Sequence, residues 1–555
     1  MHQDLARLAE EYWEYSLEQS PTEALLMGDH RYDDRMEHAS REAEDVHIAR
    51  LREFASAADA VDPDALDEDE RVTRDTLVHL AGAEADHEEG RLVEFAVNHA
   101  VGIQAMMPVV IPQLPIVEPE HADDLVDKYR GIGRLFGEIT ERVREGVARG
   151  RTPVDEHVDK TVAFIDAYLA SAVADDPYLN VRVPAVFDAD AEAAWKDRLA
   201  GVIESDIRPA YAAFRDVLRD EVRPAARGAD RPGLLHVEGG PEAYAAAIRR
   251  YVTLEMDPED VHHIGLEQVE RLEEEYRTLG SSVLGTSDVG DIFAALRDDP
   301  DLHFTEGPPI VEASERALAK AKAVMGDWFG RLPQSDCVVS ETPTGPIAFY
   351  QRPAEDGSRP GTFYVNTASP EDWGTFQIES MAYHEGIPGH HLQIAISQEL
   401  EGVPAFRRYA SISAYAEGWG LYSERLAEEM GLYESDLDRI GMLWGDSMRA
   451  CRLVVDTGMH AKGWTRQEAI DFMVEHSPMA VGQIANEVDR YITMAGQALS
   501  YMIGRLEIDR LRASAEEALG DRFDLPGFHD LVLGSGLVPL RTLGGMVDRW
   551  VEAAR

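Results

Sequence analysis

The sequence predicts a mainly α protein: a large two-lobed helical fold with a small antiparallel β-sheet beside the helices that carry its histidine-rich motif. Three observations predict it. Apolar residues recur every three to four positions along most of the chain, as in "VDKYRGIGRLFGEITERVREGVARG", "PEAYAAAIRRYVTLEM" and "RQEAIDFMVEH". The helical period fails in one region, where "DCVVSE" (336–341), "PIAFYQRP" (346–353) and "GTFYVNT" (361–367) are short β-branched and aromatic runs punctuated by Pro and Gly. The chain has 555 residues, beyond the roughly 250–300 at which a single core stops growing.

The elements follow in order. A Pro/Gly-rich, charged stretch, "RPAARGADRPGLLHVEGGPE" (223–242), reads as a linker. It divides the chain into an N-terminal helical lobe, 1–230, and a lobe 231–555 that holds the sheet (336–367), two motif helices (373–430) and the C-terminal helices. The first motif helix is expected from about Trp373 to Gln393 and the second from about Ile412 to Met430.

Composition excludes several functions. Lys plus Arg number 53 against 104 Asp plus Glu, a net charge of −51 spread along the chain. That charge repels nucleic acid and anionic membranes. With six lysines in the whole chain, the pattern fits a protein of a salt-loving organism, where a Debye length of about 3 Å at molar salt makes self-repulsion tolerable. The N-terminal sequence has no signal-peptide pattern and no window reads as a membrane span, so a cytoplasmic location is expected. Cys337 and Cys451 are too few for a disulfide framework or a cysteine-rich metal site. Any metal must be held by His, Asp and Glu.

The motif "YHEGIPGHHLQ" (383–393) nearly spells H-E-x-x-H, but Pro388 stands where the second His belongs. The ordinary spacing works because residues four apart share a helix face. His384 to His390 spans about 240° of an ideal helix, and His384 to His391 is nearly eclipsed but about 10.5 Å farther along the axis. Neither suits a straight helix. Pro388 lacks an N–H and clashes with the carbonyl of His384, and Gly389 opens backbone angles closed to other residues. A bulge at Pro388-Gly389 that loops out two residues would carry a second histidine to the vacant place. The bland alternative is a polar patch at a helix end, which three His within eight residues make unattractive. The E-x-x-H pairs Glu44/His47, Glu84/His87 and Glu259/His262 are chance matches in an acid-rich chain.

A hydrolytic zinc site also needs a third protein ligand and a base. Glu417 lies in "YAEGWGLYSERL" among small and aromatic residues, where an unpaired carboxylate would be costly, and is the expected third ligand. Glu385 is the expected general base. Glu424 would either orient a ligand His or pair with Arg425.

These residues resemble the gluzincin metallopeptidases. Their members place Gly directly before the second ligand His, which favours His390 over His391. More extensively, "SPTEALLMGDHRYDDRM", "YVTLEMDPEDVHHIGLEQV", "YHEGIPGHHLQ", "AYAEGWGLYSERL", "RLVVDTGMHAKGWTRQEAIDFM" and "VDRYITMAGQALSYMIG" resemble the family called domain of unknown function 885. That family usually has Pro where this chain has Ala495. The resemblance implies one zinc ion held by His384, His390 and Glu417, with His460 and Tyr501 as oxyanion-stabilising groups. It also places Arg490 and Tyr491 as substrate-gripping groups, Arg490 facing a C-terminal carboxylate. The strand "GTFYVNT", with Tyr364 and Asn366, would be the sheet edge that aligns an extended substrate.

The expected activity is therefore that of a zinc metallopeptidase acting on short peptides. A zinc hydrolase of a non-peptide amide or ester is the alternative within the same chemistry. A non-catalytic metal-binding or scaffold protein is the alternative outside it, though such a protein has no use for Glu385 beside His384.

Overall fold

Helix-start signals in the sequence act as caps in the computed structural model, which describes residues 2–343, 345–355, 357 and 359–555. Asp67 and Glu70 form a capping box at the start of the helix Glu68–Glu89, as do Thr465 and Glu468 at Arg466–His476. Helices dominate throughout, and no helix among the described residues is long and apolar enough to cross a membrane.

Seven helices position the site: α1 (Pro258–Val283), α2 (Ile378–Glu385), α3 (His390–Gln398), α4 (Ser413–Glu429), α5 (Asp436–Lys462), α6 (Val481–Thr493) and α7 (Ser500–Leu519). Helix α5 is buried at every position from Ile440 to His460, so it is the central member, with α1 lying along it. Helix α4 lies along α7.

Three hydrophobic clusters form the core. One joins Leu8, Leu51, Phe54 and Leu77 to residues from Ile310 to Val551. A second centres on α1, α5 and α6, and a third is built from residues between Leu25 and Val222. The segment 1–230 is thus not a self-contained packing unit, because its first helices share a core with the C-terminal residues. The expected linker is itself packed: Leu234 is buried and Arg227 donates to the carbonyls of Thr152 and Gly233.

The sheet is small, as expected, but mixed and not antiparallel. Its strands β1 (Cys337–Thr342), β2 (Ala348–Gln351) and β3 (Gly361–Asn366) lie in the order β1-β3-β2. Strands β2 and β3 pair antiparallel, whereas β1 and β3 run parallel with Cys337 opposite Gly361. The chain leaves β1, crosses to the far edge for β2 and returns through the middle. Short connections favour a meander, and nothing local in the three strands announces the crossing.

Candidate metal centre

The two halves of "YHEGIPGHHLQ" are separate helices, α2 and α3, not one bulged helix. Residues 386–389 form the break: Gly386 N–H still donates to Ala382 O, and the ladder then lapses until His391 N–H donates to Gly386 O. A Cβ on Gly389 would lie 2.0 Å from His384 O and 2.3 Å from Tyr383 O, so only glycine lets the chain fold back against the end of α2. Trp419 of α4 donates from Nε1 to Pro388 O at 2.9 Å and ties the break to the neighbouring helix.

This break brings His384, His390 and Glu417 together, with one ligand-type atom of each within 4.8 Å of the others. Glu417 Oε2 is 3.6 Å from His384 Nε2 and 3.5 Å from His390 Nε2, and the two imidazoles meet edge to face at 84°. His384 Nδ1 donates to Glu424 Oε1 at 2.8 Å, and Ser380 Oγ donates to Glu424 Oε2 at 2.6 Å. That bond fixes the tautomer that leaves His384 Nε2 free as an acceptor, the arrangement metal-ligating histidines use. Gly420 makes room for the ring, since a Cβ there would sit 2.7 Å from His384 Cε1.

His391 turns the other way. Its Nε2 donates to Ser335 O at 3.1 Å and its Nδ1 accepts from the Tyr350 hydroxyl at 3.0 Å; burial lowers its pKa to about 4. Adjacent histidines at a helix start thus do different work, one facing Glu417 and one pinning β2 to α3.

The imidazoles and carboxylates of this cluster perturb one another strongly. Burial alone would lower the pKa of His384, but hydrogen bonding with Glu417 and Glu424 outweighs it and pushes the value up to about 9. Burial would raise Glu417, yet His384 and His390 hold it well below the usual carboxylate range. Two imidazole nitrogens and a carboxylate oxygen, with one imidazole oriented from behind, are the donor set of a catalytic zinc site with a position left open. The residues present fit that ion.

These groups line a cavity of about 770 Å³, the size of a small-ligand site. Glu385 lines it too, and its carboxylate has no hydrogen bond or ion pair among the described residues. Tyr501 and Arg490 also face this cavity. Burial, and next the charge of Glu417, raise the pKa of Tyr501, so its phenol stays protonated.

Other expected residues are not brought here. His460 is buried away from the cavity, accepts from Leu234 N–H at 3.1 Å and donates to Tyr491 O at 3.0 Å, and burial lowers it to about 4. It anchors the 223–242 segment to α5 and α6. Tyr491 sits behind the wall, donating to Glu487 and accepting from Arg452 Nε. Strand β3 is the central strand, so Tyr364 and Asn366 cannot form an edge. Tyr364 stacks on Phe349, and Asn366 donates to Gly345 O. The edge that faces the cavity is β2, through Ala348, Phe349 and Tyr350.

Sequence reasoning missed the arginines of α5. Arg449 and Arg452 line the cavity at 6% exposure each. Their three-residue spacing, which puts both on one face of a helix, was the available signal. A second grouping, His30, Asp33 and His121, also gathers ligand-type atoms, but its imidazoles stack nearly parallel at 3.8 Å and 10°. Lone pairs on parallel rings do not converge.

The family described as "Bacterial protein of unknown function (DUF885)" matches residues 21–547. The chain belongs to the DUF885 family. A crystal structure described as the "putative lipoprotein from Colwellia psychrerythraea" superposes with a TM-score of 0.92 at 28% identity over 99% of both chains. Another, a "putative lipoprotein of unknown function from Shewanella oneidensis", gives 0.72 at 18% identity, covering 98% of this chain and 99% of that one. The second likeness is one of fold alone. No curated protein matches the chain.

Proposed function

We propose that this DUF885 protein is a zinc-dependent hydrolase of the gluzincin type that cleaves short peptides in an internal cleft. The observation that carries the proposal is the meeting of His384, His390 and Glu417 in one cavity with Glu385, whose carboxylate has no partner among the described residues. One zinc ion held by those three ligands would supply Lewis acidity to the attacking water and the scissile carbonyl.

The chain's own groups do the rest. Glu385 takes a proton from the attacking water and delivers it to the leaving nitrogen. The protonated Tyr501 phenol donates to the carbonyl oxygen as negative charge develops there. Glu424 holds the His384 imidazole in place, and the edge of β2 offers backbone groups to an extended peptide. On this reading the chain forms two helical lobes, and the cleft, of about 770 Å³, is too small to admit folded proteins. A cytoplasmic location belongs to the same proposal. The relatives' description as lipoproteins favours an envelope location instead, and cell fractionation separates the two.

The test is a peptide-library assay in high salt on wild type, Glu385→Gln and Glu417→Ala, with metal analysis of each. Glu385→Gln keeps its zinc and loses activity by about 10²- to 10⁴-fold, the usual worth of a general base. Glu417→Ala loses zinc. Stoichiometric zinc in a wild type that cleaves no peptide contradicts the peptidase reading.

A further inference from the structure

The wall of the cavity on α5 and α6 carries positive charge that the proposed chemistry leaves without a task. Arg449, Arg452 and Arg490 all line it, with Glu487 as the carboxylate between the last two. In a chain of net charge −51, three buried or half-buried guanidiniums against one interleaved carboxylate are a local reversal of sign.

The three arginines are not equivalent. Each guanidinium nitrogen of Arg490 has a partner: Nε and Nη2 donate to Glu487, and Nη1 donates to Gln497 Oε1 at 2.6 Å. Arg452 is held by Nε, which donates to the Tyr491 hydroxyl at 2.8 Å, and by Nη2, which donates to Glu487 Oε2 at 2.7 Å. Its Nη1 is buried and has no hydrogen-bond partner among the described residues, nor has Nε of Arg449. An unpartnered N–H on a buried charged group costs free energy until a ligand satisfies it. The Tyr501 ring packs against both guanidiniums, 4.5 Å from Arg452 and 5.9 Å from Arg449.

We propose that Arg452, with Arg449 beside it, is the anion subsite of the cleft and binds a carboxylate of the substrate through the guanidinium N–H groups left free. Tyr491 and Glu487 are positioning residues: they hold Arg452 by Nε and Nη2 and so leave Nη1 for the ligand. A fixed guanidinium fork matches a carboxylate better than an ammonium does. Arg490, the residue the sequence pointed to, braces Glu487 instead. The subsite rests on the hydrolase reading for the nature of the molecule that carries the carboxylate, a short peptide with a free C-terminus or an acidic side chain near it.

The experiment measures binding, so that it stands apart from turnover. Titration calorimetry on zinc-loaded Glu385→Gln protein compares three probes: the pentapeptide Ala-Ala-Phe-Ala-Ala as free acid, the same peptide as C-terminal amide, and an amide with Glu as last residue. The free acid binds about 10- to 150-fold tighter than the amide, the worth of a hydrogen bond to a charged group. Tight binding of the Glu-terminated amide as well assigns the subsite to carboxylates in general, and weak binding of it to the α-carboxylate alone. Added Arg452→Met removes the preference, and Arg452→Lys restores only part of it. The acid-to-amide ratio within one protein sample is insensitive to a misfolded fraction, which lowers both affinities together. Equal binding of all three probes before the Arg452 change, or a preference that survives Arg452→Met, overturns the proposal. Absence of peptide cleavage by wild type, with the preference intact, counts against the peptidase reading and leaves the carboxylate subsite standing.

Discussion

Replacing Gly389 by alanine adds one methyl group at the tightest point of the helix break. That carbon would lie 2.0 Å from His384 O and 2.3 Å from Tyr383 O, both backbone atoms that no rotamer change can move. Carbon–oxygen contacts begin near 3.3 Å, so the break must open by about 1 Å. Overpacking costs about 1–3 kcal/mol when side chains can give way; with backbone on both sides the cost falls at or above the upper end. The opening also draws His390 away from Glu417, which stands 3.5 Å from it. Zinc affinity should then fall at least about tenfold, the lower bound for disturbing a ligand's support. The assay is chelator competition for zinc alongside thermal unfolding in high salt. Gly137→Ala is the control: it lies inside the helix Pro119–Ala148, a Cβ there would meet nothing within 4 Å, and helix propensity predicts a gain of roughly 0.5–1 kcal/mol. The same chemical change thus has opposite signs at two sites. A Gly389→Ala protein with wild-type stability and zinc affinity would refute the claim that the break sets the ligand geometry.

Three further outcomes are expected. Glu424→Gln keeps the shape but loses the carboxylate that accepts from His384 Nδ1 and Ser380 Oγ; chelator competition should show zinc bound about 10- to 100-fold more weakly. Glu385→Gln should leave zinc content unchanged while turnover collapses, as the peptide assay reads. Asp489 links α6 to the helix Asp155–Ala170, accepting from Lys160, His157 and Arg466. Burial alone would raise its carboxyl, but those partners hold it well below the usual range. A depressed folded value adds stability above the unfolded pKa of about 3.9, lost as pH falls through that region toward the folded value. Asp489→Asn should therefore cost about 3–5 kcal/mol at pH 7 and distinctly less at pH 3 in denaturant unfolding; an equal gap at both pH values would speak against it.

Much of the site was legible because its chemistry is local. A Pro-Gly insertion between two histidines announces a broken helix, and a glutamate set among small and aromatic residues announces a buried partner. What the sequence could not specify is how far the break goes. Gly386 and Gly389 end one helix and start another, where a bulge would have kept a single ladder. The sheet shows the same limit: β1, β2 and β3 are recognisable one by one, while their order depends on a crossing with no residue signature. His460 was expected near the metal from the family resemblance alone, and nothing in its local sequence shows that both ring nitrogens are taken by backbone groups. Arg452 was passed over because its free N–H exists only after Tyr491 and Glu487 have taken the others.

The central claim is that one zinc ion sits between His384, His390 and Glu417. Its most direct test is a crystal soaked in or grown with zinc, with anomalous scattering recorded on either side of the zinc absorption edge. The account predicts one strong peak about 2.0–2.2 Å from His384 Nε2, His390 Nε2 and a Glu417 carboxylate oxygen. A peak confined to His30, Asp33 and His121, or no peak at all in zinc-saturated crystals, would contradict it.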